Sequence, residues 1–202
     1  MPVRPGEAWG SDGVLPPDGV VVRSDAEART VVEGARRDGR EIPVLGLLGG
    51  DLCRTLGGTG DERRLREGGV LAEVDLGAAL VDGRLHWFVA HLVARRGWLR
   101  GPIVALMNAQ FLGEWDVAPR AHPGDGKLDR LSVSMGAADR LQARTRLRSG
   151  THVPHPGIAV AQVTATQLEF ERPTRVRLDG EVVAEARTIS IRVEPAALRV
   201  VV

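Results

Sequence analysis

The end of the chain restricts the fold more than any other feature. Residues 157–202 divide into consecutive runs that are typical of strands, at 158–164, 167–170, 174–178, 181–186, 188–193 and 197–202. Asp179-Gly180 separates two of these runs, and this pair tolerates the positive φ angles of a tight hairpin turn. Neighbouring strands joined by short turns pair antiparallel, so this region predicts a β-rich domain.

A similar pattern precedes this region. Strands are predicted at 70–76, 78–81, 84–92, 103–107 and 128–135. Asp82-Gly83 is a second hairpin turn. Residues 136–148 predict one amphipathic helix, with apolar residues on one side at Ala138, Leu141 and Leu147. The C-terminal two thirds of the chain therefore predicts an antiparallel sandwich.

The first sixty residues have a different pattern. Val20-Val21-Val22 predicts a short strand, and Ser24 and Asp25 stand where a helix N-cap belongs. Residues 26–37 then have helical spacing, and 43–48 is a short apolar run of the buried-strand type. Strand, helix and strand in this order make one unit of α/β architecture.

Together these patterns predict an α+β fold that is mostly β, in which an antiparallel β-sandwich is preceded by a small truncated α/β unit. We assign the α/β unit to residues 1–62 and the sandwich domain to residues 63–202. At 202 residues, the chain is long enough to bury a core of this kind.

Charge and aromatic content argue against a nucleic-acid partner. The chain has 27 basic and 26 acidic residues, a formal net charge of +1, whereas proteins that bind a phosphate backbone usually carry a clear basic excess. Four Trp, three Phe and no Tyr offer few rings for stacking bases. We therefore expect no nucleic-acid partner.

Several features indicate a cytoplasmic protein. Cys53 is the only cysteine, so no intrachain disulfide can form, as is usual in a reducing compartment. The N-terminal residues contain no apolar segment of a secretory signal, and the uncharged stretch 101–113 is too short to span a bilayer. Residues 94–101 combine three arginines with Trp98 and Leu99, which suits peripheral contact with an anionic membrane, although a solvated hairpin with one tucked Trp explains them better.

Gly49-Gly50-Asp51 is the strongest candidate for binding phosphate. Successive glycine amides after a strand can form a nest for an anion, and a following helix would add its dipole. Neither the P-loop motif nor the dinucleotide-binding motif is present. A flexible loop between two layers therefore remains an equal alternative.

Two acidic turns are candidate cation sites. Asp125 and Asp129 flank a tight loop whose carbonyls suit a hard cation. Asp179 and Glu181 lie on either side of a hairpin tip, from which they could reach a metal–phosphate group. Asp-Gly occurs six times in the chain and turn chemistry explains every case, so neither pair identifies a function alone. Zinc is not expected, because prolines interrupt the spacing around His152.

In this order, the motifs resemble the diacylglycerol kinase and sphingoid-base kinase family of lipid kinases. Residues 46–57, GLLGGDLCRTLG, are similar to the family's glycine-rich segment of the type PLGTGNDFARTLG. Three later stretches are also similar to family motifs: VDLG at 74–77, the stretch from Asn108 through Ala118-Pro119 to DGKLD at 125–129, and DGE at 179–181. The likeness covers about 42–202, and its specificity lies in the ordered set.

The resemblance implies an α/β nucleotide-binding domain and a β-sandwich with ATP in the cleft between them. There a Mg²⁺-bound γ-phosphate passes to a lipid hydroxyl, so Mg²⁺ and ATP are the expected cofactors and a lipid is the expected substrate. The resemblance also implies site residues of three kinds: catalytic Asp179 and Glu181, nucleotide-binding Gly49, Gly50 and Asp51, and structural-metal-binding Asp125 with the carbonyls near Lys127 and Leu128.

One departure from the family bears on activity. The family carries a GGDGT motif ahead of the glycine-rich segment, but the roughly forty residues that precede that segment here contain no such motif. We therefore expect a short form that lacks most of the N-terminal nucleotide-binding domain. If Gly49-Gly50-Asp51 is aligned with GGDGT instead, Leu52 and Cys53 stand where close approach to phosphate needs Gly and Thr.

Two functions remain open from the sequence. One is an ATP- and Mg²⁺-dependent lipid phosphotransferase, which as a homodimer would complete its own cleft. The other is a non-catalytic relative whose sandwich binds a ligand or a partner. A third, less supported, alternative is a metal-dependent hydrolase that uses the acidic residues around Asp125 and Asp179.

Overall fold

The computed structural model describes residues 10–97, 101–152 and 155–202. In this part of the chain the helices are α1 (Asp25–Arg37), α2 (Asp51–Thr55), α3 (Glu62–Glu67) and α4 (Ala137–Leu147). The strands are β1 (Gly10–Gly13), β2 (Val20–Val22), β3 (Leu45–Leu47), β4 (Gly69–Val81), β5 (Arg84–Phe88), β6 (His91–Arg95), β7 (Ile103–Met107), β8 (Phe111–Leu112), β9 (Trp115–Asp116), β10 (Leu128–Val133), β11 (Ile158–Val163), β12 (Ala165–Leu178) and β13 (Glu181–Val201).

Most of the described strands belong to one sheet, in the order β1-β4-β13-β12-β6-β7-β10-β11. Every neighbouring pair on this path is antiparallel, as the short turns predict. β5 pairs with β4, while β2 and β3 form a parallel branch on β13. β8 and β9 form a separate hairpin. The predicted fold class, mostly β with an antiparallel sheet, is confirmed.

The long strands β12 and β13 each replace several of the predicted short strands. Their pairing shifts register at Pro173 in β12 and at Pro195 in β13. Proline cannot donate a hydrogen bond to a strand ladder, so it is tolerated in a sheet at a bulge. Ala196 has a φ of 49°, which absorbs the second irregularity. The chain therefore continues as a strand where the sequence predicts a break.

The sheet folds back so that its two arms face each other across one core. Buried side chains from both arms meet there, among them Val81 of β4, Phe88 of β5, Leu92 of β6, Leu106 of β7, Val176 of β12 and Ile189 of β13. Packing of two sheet faces around a shared apolar layer is the sandwich arrangement that the sequence predicts.

The α/β unit extends the same sheet. Leu45 of β3 lies opposite Val200 near the end of β13. The first helix, α1, begins after Ser24, whose side chain caps it, and buries Ala28 and Val32 against the sheet. The two predicted units therefore share one sheet, and the boundary assigned to residue 62 stays a prediction.

Packing explains the glycine of the VDLG motif. Gly77 lies opposite Phe88 in the pairing of β4 with β5, and a Cβ at residue 77 would overlap the Phe88 ring. Asp75 of the same motif is also buried, and its carboxylate accepts hydrogen bonds from the amides of Gly126 (2.7 Å) and Ala196 (2.8 Å). The motif therefore holds together strands and loops of the sandwich.

We predict that Gly77→Ala lowers the free energy of unfolding by about 1–3 kcal/mol, because the new methyl group overpacks the core against Phe88. Gly34→Ala is the matched control. Gly34 lies within α1 with no atom within 4 Å of an added Cβ, so alanine there raises stability by about 0.5–1 kcal/mol. Urea unfolding measures both. A Gly77→Ala protein as stable as the parent contradicts the packing described here.

A second consequence of burial concerns Asp129 in β10. Its side chain is buried, and this burial together with the neighbouring charge of Asp125 raises its pKa from 3.8 to about 6. The folded protein therefore binds this proton more tightly than the unfolded chain. The contribution of this proton to the stability of the folded state is therefore full below about pH 4 and is lost as the pH rises through the folded pKa of about 6.

We predict that Asp129→Asn raises the free energy of unfolding at pH 7.5 by about 1–2 kcal/mol and changes it little at pH 4.5, because the neutral amide removes the buried charge. Asp18→Asn, at an exposed turn, is the control. Urea unfolding at the two pH values measures the effect. If Asp129→Asn is less stable than the parent at pH 7.5, Asp129 is stabilising as a carboxylate and the account of its pKa is wrong.

Candidate functional site

The parallel strands β2 and β3 end side by side, and a helix starts just after each of them. Asp25 is the first residue of α1, and Asp51 is the first residue of α2. The carboxylate of Asp25 accepts hydrogen bonds from the backbone amides of Asp51 (2.5 Å) and Leu52 (3.2 Å). One side chain therefore connects the starts of both helices.

His91, the first residue of β6, joins this pair. Its Nε2 lies 3.0 Å from Oδ2 of Asp51, and the amide of Gly113 donates to the same carboxylate at 2.9 Å. Among the described residues, Asp25, Asp51 and His91 form the group whose ligand atoms are close enough to share a metal ion, all within 4.8 Å. We call these three residues the carboxylate–histidine cluster.

The charged groups of the cluster shift one another's pKa values. Burial and the neighbouring charge of Asp179 raise the pKa of Asp25 to about 6. Burial alone would also raise the pKa of Asp51, but hydrogen bonds from His91 and Gly113 outweigh it and lower this pKa. Burial opposes protonation of His91, yet its bond to Asp51 and the charge of Asp179 raise its pKa. Asp51 and His91 therefore form a buried ion pair near two further carboxyl groups.

The structure places the two predicted catalytic residues differently. Asp179 is buried at the tip of the β12–β13 hairpin, where its carboxylate accepts hydrogen bonds from the amides of Val89, Ala90 and His91 at 2.9–3.1 Å. Glu181 is exposed at its carboxylate and forms an ion pair with Arg29 of α1. Asp179 thus borders the cluster, whereas Glu181 pairs with α1 through Arg29. The catalytic role of both residues stays a prediction.

The glycines of the predicted phosphate-binding segment fit closely against the first strand–helix turn. A Cβ at Gly49 would lie 2.5 Å from the carbonyl oxygen of Arg23, and one at Gly50 would lie 2.5 Å from Oδ1 of Asp25. Gly50 also has a φ of 97°, which other residues rarely adopt. Close packing therefore accounts for both glycines without a ligand, and nucleotide contact by Gly49, Gly50 and Asp51 stays a prediction.

The start of α1 is capped in a similar way. The amide of Arg23 donates to the Glu27 carboxylate at 2.7 Å, and the amide of Glu27 donates to Oγ of Ser24 at 3.2 Å. The second of these bonds is an N-cap bond, which satisfies an amide that the helix start leaves open, and the first fixes the residue before the cap. At both helix starts beside the cluster, backbone amides therefore already donate hydrogen bonds to side chains of this protein.

The predicted structural-metal loop is ordered by backbone contacts. Oδ1 of Asp125 accepts a hydrogen bond from the amide of Lys127 at 2.9 Å. The amide of Gly126, which lies between these two residues, donates to the carboxylate of Asp75. Leu128 begins β10 and is buried. A metal ion held by Asp125 and the carbonyls near Lys127 and Leu128 stays a prediction, because the loop geometry is explained by hydrogen bonds alone.

Sequence reasoning missed two members of the cluster. Asp25 was assigned only to an N-cap, although Asp25 and Asp51 both follow a short strand at the start of a helix, and the carboxyl ends of parallel strands are common ligand sites. That repeated position was an available signal. His91 reaches Asp51 across 40 residues through sheet pairing, and no local pattern indicates this.

An apolar cavity of about 320 Å³ lies on the outer face of β6, β7 and β10, under α4. Apolar side chains form most of its wall, including Val93, Ile103, Ala105, Leu131, Ala143 and Leu147. His91, Leu112 and Gly180 line this cavity and also the neighbouring polar pocket that contains Asp25 and Asp51. The cavity and the carboxylate–histidine cluster therefore share a wall.

The segment predicted to touch a membrane is described only in part. Ala94 and Arg95 lie at the end of β6, whereas Trp98, Leu99 and Arg100 lie outside the described residues. In the described ranges, no helix has the length and apolar character needed to cross a bilayer.

Comparison with known proteins is consistent with this architecture. The family model named YegS C-terminal NAD kinase beta sandwich-like domain matches residues 78–202, which is more than half of the chain. No curated protein is significantly similar to the chain in sequence.

Solved structures with the same fold come from Bacillus anthracis str. Sterne. One, a diacylglycerol kinase, has a TM-score of 0.62 at 18% identity, with 91% of this chain and 75% of that chain covered. Two more, ascribed to a diacylglycerol kinase, have TM-scores of 0.69 and 0.67 at 16% identity, with 91% of this chain and 77% of each covered. Over more than half of its length the chain therefore belongs to the family of YegS C-terminal NAD kinase beta sandwich-like domains, and it shares its fold with these Bacillus structures.

Proposed function

We propose that this chain is a lipid-binding member of the family, which holds an amphiphilic lipid in the apolar cavity without phosphorylating it. The observation that carries the proposal is the occupation of the two helix starts beside the cluster. Their amides already donate to the carboxylates of Asp25 and Glu27 and to the hydroxyl of Ser24. A phosphate at either helix start would compete with these groups for the amides.

The charge of the polar pocket also disfavours a nucleotide. Three carboxyl groups line it, those of Asp25, Asp51 and Asp179, and among its described lining residues there is no lysine or arginine. Sites that transfer phosphoryl groups use cationic side chains and backbone amides to hold the phosphates. A triphosphate would meet mostly like charge here.

Magnesium fits this group of residues poorly. Members of the family are generally expected to use ATP with a divalent metal, and Mg²⁺ prefers six oxygen ligands in octahedral geometry. The cluster offers two carboxylates and an imidazole nitrogen, a combination that suits a transition metal better. Both carboxylates also accept backbone amides already. We therefore derive no step that depends on Mg·ATP.

The cavity supports a lipid ligand. A volume of about 320 Å³ falls at the lower end of the roughly 300–1,000 Å³ that is usual for small-molecule sites. Each methylene group moved from water into such a wall is worth about 0.8 kcal/mol. An alkyl chain in this cavity would have its polar end near His91, at the wall shared with the polar pocket.

Phosphotransfer is the second candidate function, because the ligand atoms of Asp25, Asp51 and His91 lie within 4.8 Å of one another beside the cavity. A divalent ion bound there would be close to the polar end of a lipid. In this alternative, Asp179 would border the metal, and a second copy of the chain would complete the nucleotide site.

We predict that Ala143→Phe weakens binding of long-chain lipids at least tenfold, since the ring fills the cavity from α4. Ala138→Phe is the matched control, because Ala138 is exposed on the same helix and does not line the cavity. Displacement of the neutral fluorophore 1-aminoanthracene by palmitate and by monopalmitin measures affinity. If neither lipid displaces the fluorophore from the parent protein, the chain is not a lipid-binding protein of this kind.

We also predict no heat of binding when ATP and Mg²⁺ are titrated to millimolar concentration into the full chain. The acidic pocket and the capped helix starts are the reason. Isothermal titration calorimetry measures this directly. A clear signal that disappears in Asp51→Asn would replace lipid binding with phosphotransfer as the better account.

A further inference from the structure

We infer that the ligand of the cavity is a single-chain lipid whose polar end combines an anionic oxygen group with a hydroxyl, and that Arg177 and His152 recognise these two groups. The inference rests on the proposed lipid-binding function and adds the chemistry of the headgroup. A hydroxy fatty acid and a single-chain lipid phosphate with a free hydroxyl both have this chemistry.

Two buried imidazole nitrogens of cavity-lining residues have no hydrogen-bond partner in the described part of the chain. His91 and His152 both line the cavity and are only 2% and 3% exposed. In each ring Nδ1 is buried, with no hydrogen-bond partner among the described residues. Buried polar atoms are nearly always hydrogen-bonded in folded proteins, so an unpaired one on a side chain that lines a cavity is a candidate partner for a polar ligand group.

The role of His152 follows from its other nitrogen. Nε2 lies 3.1 Å from the carbonyl oxygen of Val117, which can only accept, so Nε2 carries the proton. Burial lowers the pKa of His152, which keeps the ring neutral. Nδ1 therefore presents a lone pair, and its partner must be a donor. A hydroxyl on the ligand meets this need, whereas a carboxylate does not.

Nδ1 of His91 is compatible with the same headgroup chemistry. Asp51 holds Nε2, which leaves Nδ1 as the ring nitrogen without a partner among the described residues. A hydroxyl can both donate and accept, and an anionic oxygen accepts. The headgroup chemistry inferred from His152 therefore also suits His91.

The charged residues of the cavity wall are all basic in the part of the chain that the structure describes. Arg95, Arg140 and Arg177 line the cavity, and no Asp or Glu does. Arg140 donates to the carbonyls of Met135 and Gly101. The side chain of Arg177 forms no hydrogen bond or ion pair with any described residue. An anionic headgroup would supply the partner that a guanidinium prefers.

Arginines are also crowded at this wall. Arg177 lies opposite Val93 in the pairing of β12 with β6, beside Arg95 on the same face. Burial and the charges of Arg177 and Arg175 lower the pKa of Arg95. A bound anion would relieve this repulsion. The small volume of about 320 Å³ favours one alkyl chain over two, which separates the inferred ligand from a diacylglycerol.

Four ligands with the same chain length test the inference: palmitate, 3-hydroxypalmitate, monopalmitin and methyl palmitate. Palmitate contains the anion alone, 3-hydroxypalmitate contains both groups, monopalmitin contains hydroxyls alone, and methyl palmitate contains neither group. With 1-aminoanthracene displacement on the full chain, we expect 3-hydroxypalmitate to bind tightest, and loss of either group to weaken binding about tenfold. Palmitoyl lysophosphatidate, added as a fifth ligand, separates a phosphate headgroup from a carboxylate.

Two variants assign the recognition to residues. Arg177→Gln should weaken binding of the three anionic ligands at least tenfold and leave binding of monopalmitin unchanged. Arg175→Gln, at the neighbouring arginine that pairs with Glu185, should leave binding of all ligands unchanged. His152→Phe should weaken only the hydroxylated ligands. If this variant does not fold, the difference between palmitate and 3-hydroxypalmitate in the parent protein still decides the role of the hydroxyl.

The outcomes distinguish the headgroup inference from the proposed lipid-binding function. Equal binding of all four palmitoyl ligands to the parent protein would overturn the headgroup inference while the lipid-binding function remains. Binding of none of them would overturn both. Loss of anion binding in Arg175→Gln as large as in Arg177→Gln would overturn the assignment to Arg177.

Discussion

The carboxylate of Asp25 is the contact on which the arrangement of the site depends. It accepts the first two amides of α2 and thereby fixes the start of that helix against the start of α1. Asp51 is held in position by this contact, and its own carboxylate meets His91 from the sandwich. The α/β unit and the sandwich are therefore joined at the site by buried hydrogen bonds between charged groups, which are stronger than neutral ones.

The same contacts decide which ligands the site can take. A helix start usually attracts anions, but here protein side chains already accept hydrogen bonds from the amides of Asp51 and Leu52 in α2 and of Glu27 in α1. The adjoining pocket is acidic, whereas the cavity on the other side of His91 is apolar with basic residues in its wall. This contrast is the basis of the proposed preference of the site for a lipid over a nucleotide.

Local chemistry predicted much of the fold. Asp82-Gly83 and Asp179-Gly180 form the expected hairpin turns with positive φ, and α4 spans Ala137–Leu147 within the predicted range 136–148. The bulges at Pro173 and Pro195 were not predicted, because a proline in sequence indicates the end of a strand and only the neighbouring strand can show that it continues. The pairing of His91 with Asp51 likewise depends on sheet register over long separations, which single-sequence patterns do not contain.

Backbone amide NMR of the isotopically labelled full chain tests the central claim most directly. Titration with 3-hydroxypalmitate should shift amide resonances of β6, β7 and β10 around the cavity, notably Val93, Ala105 and Leu131. Titration with Mg·ATP should leave the amides of Asp51 and Leu52 unshifted, because Asp25 already binds them. Shifts of Asp51 and Leu52 with Mg·ATP, and none around the cavity with the lipid, would contradict the account.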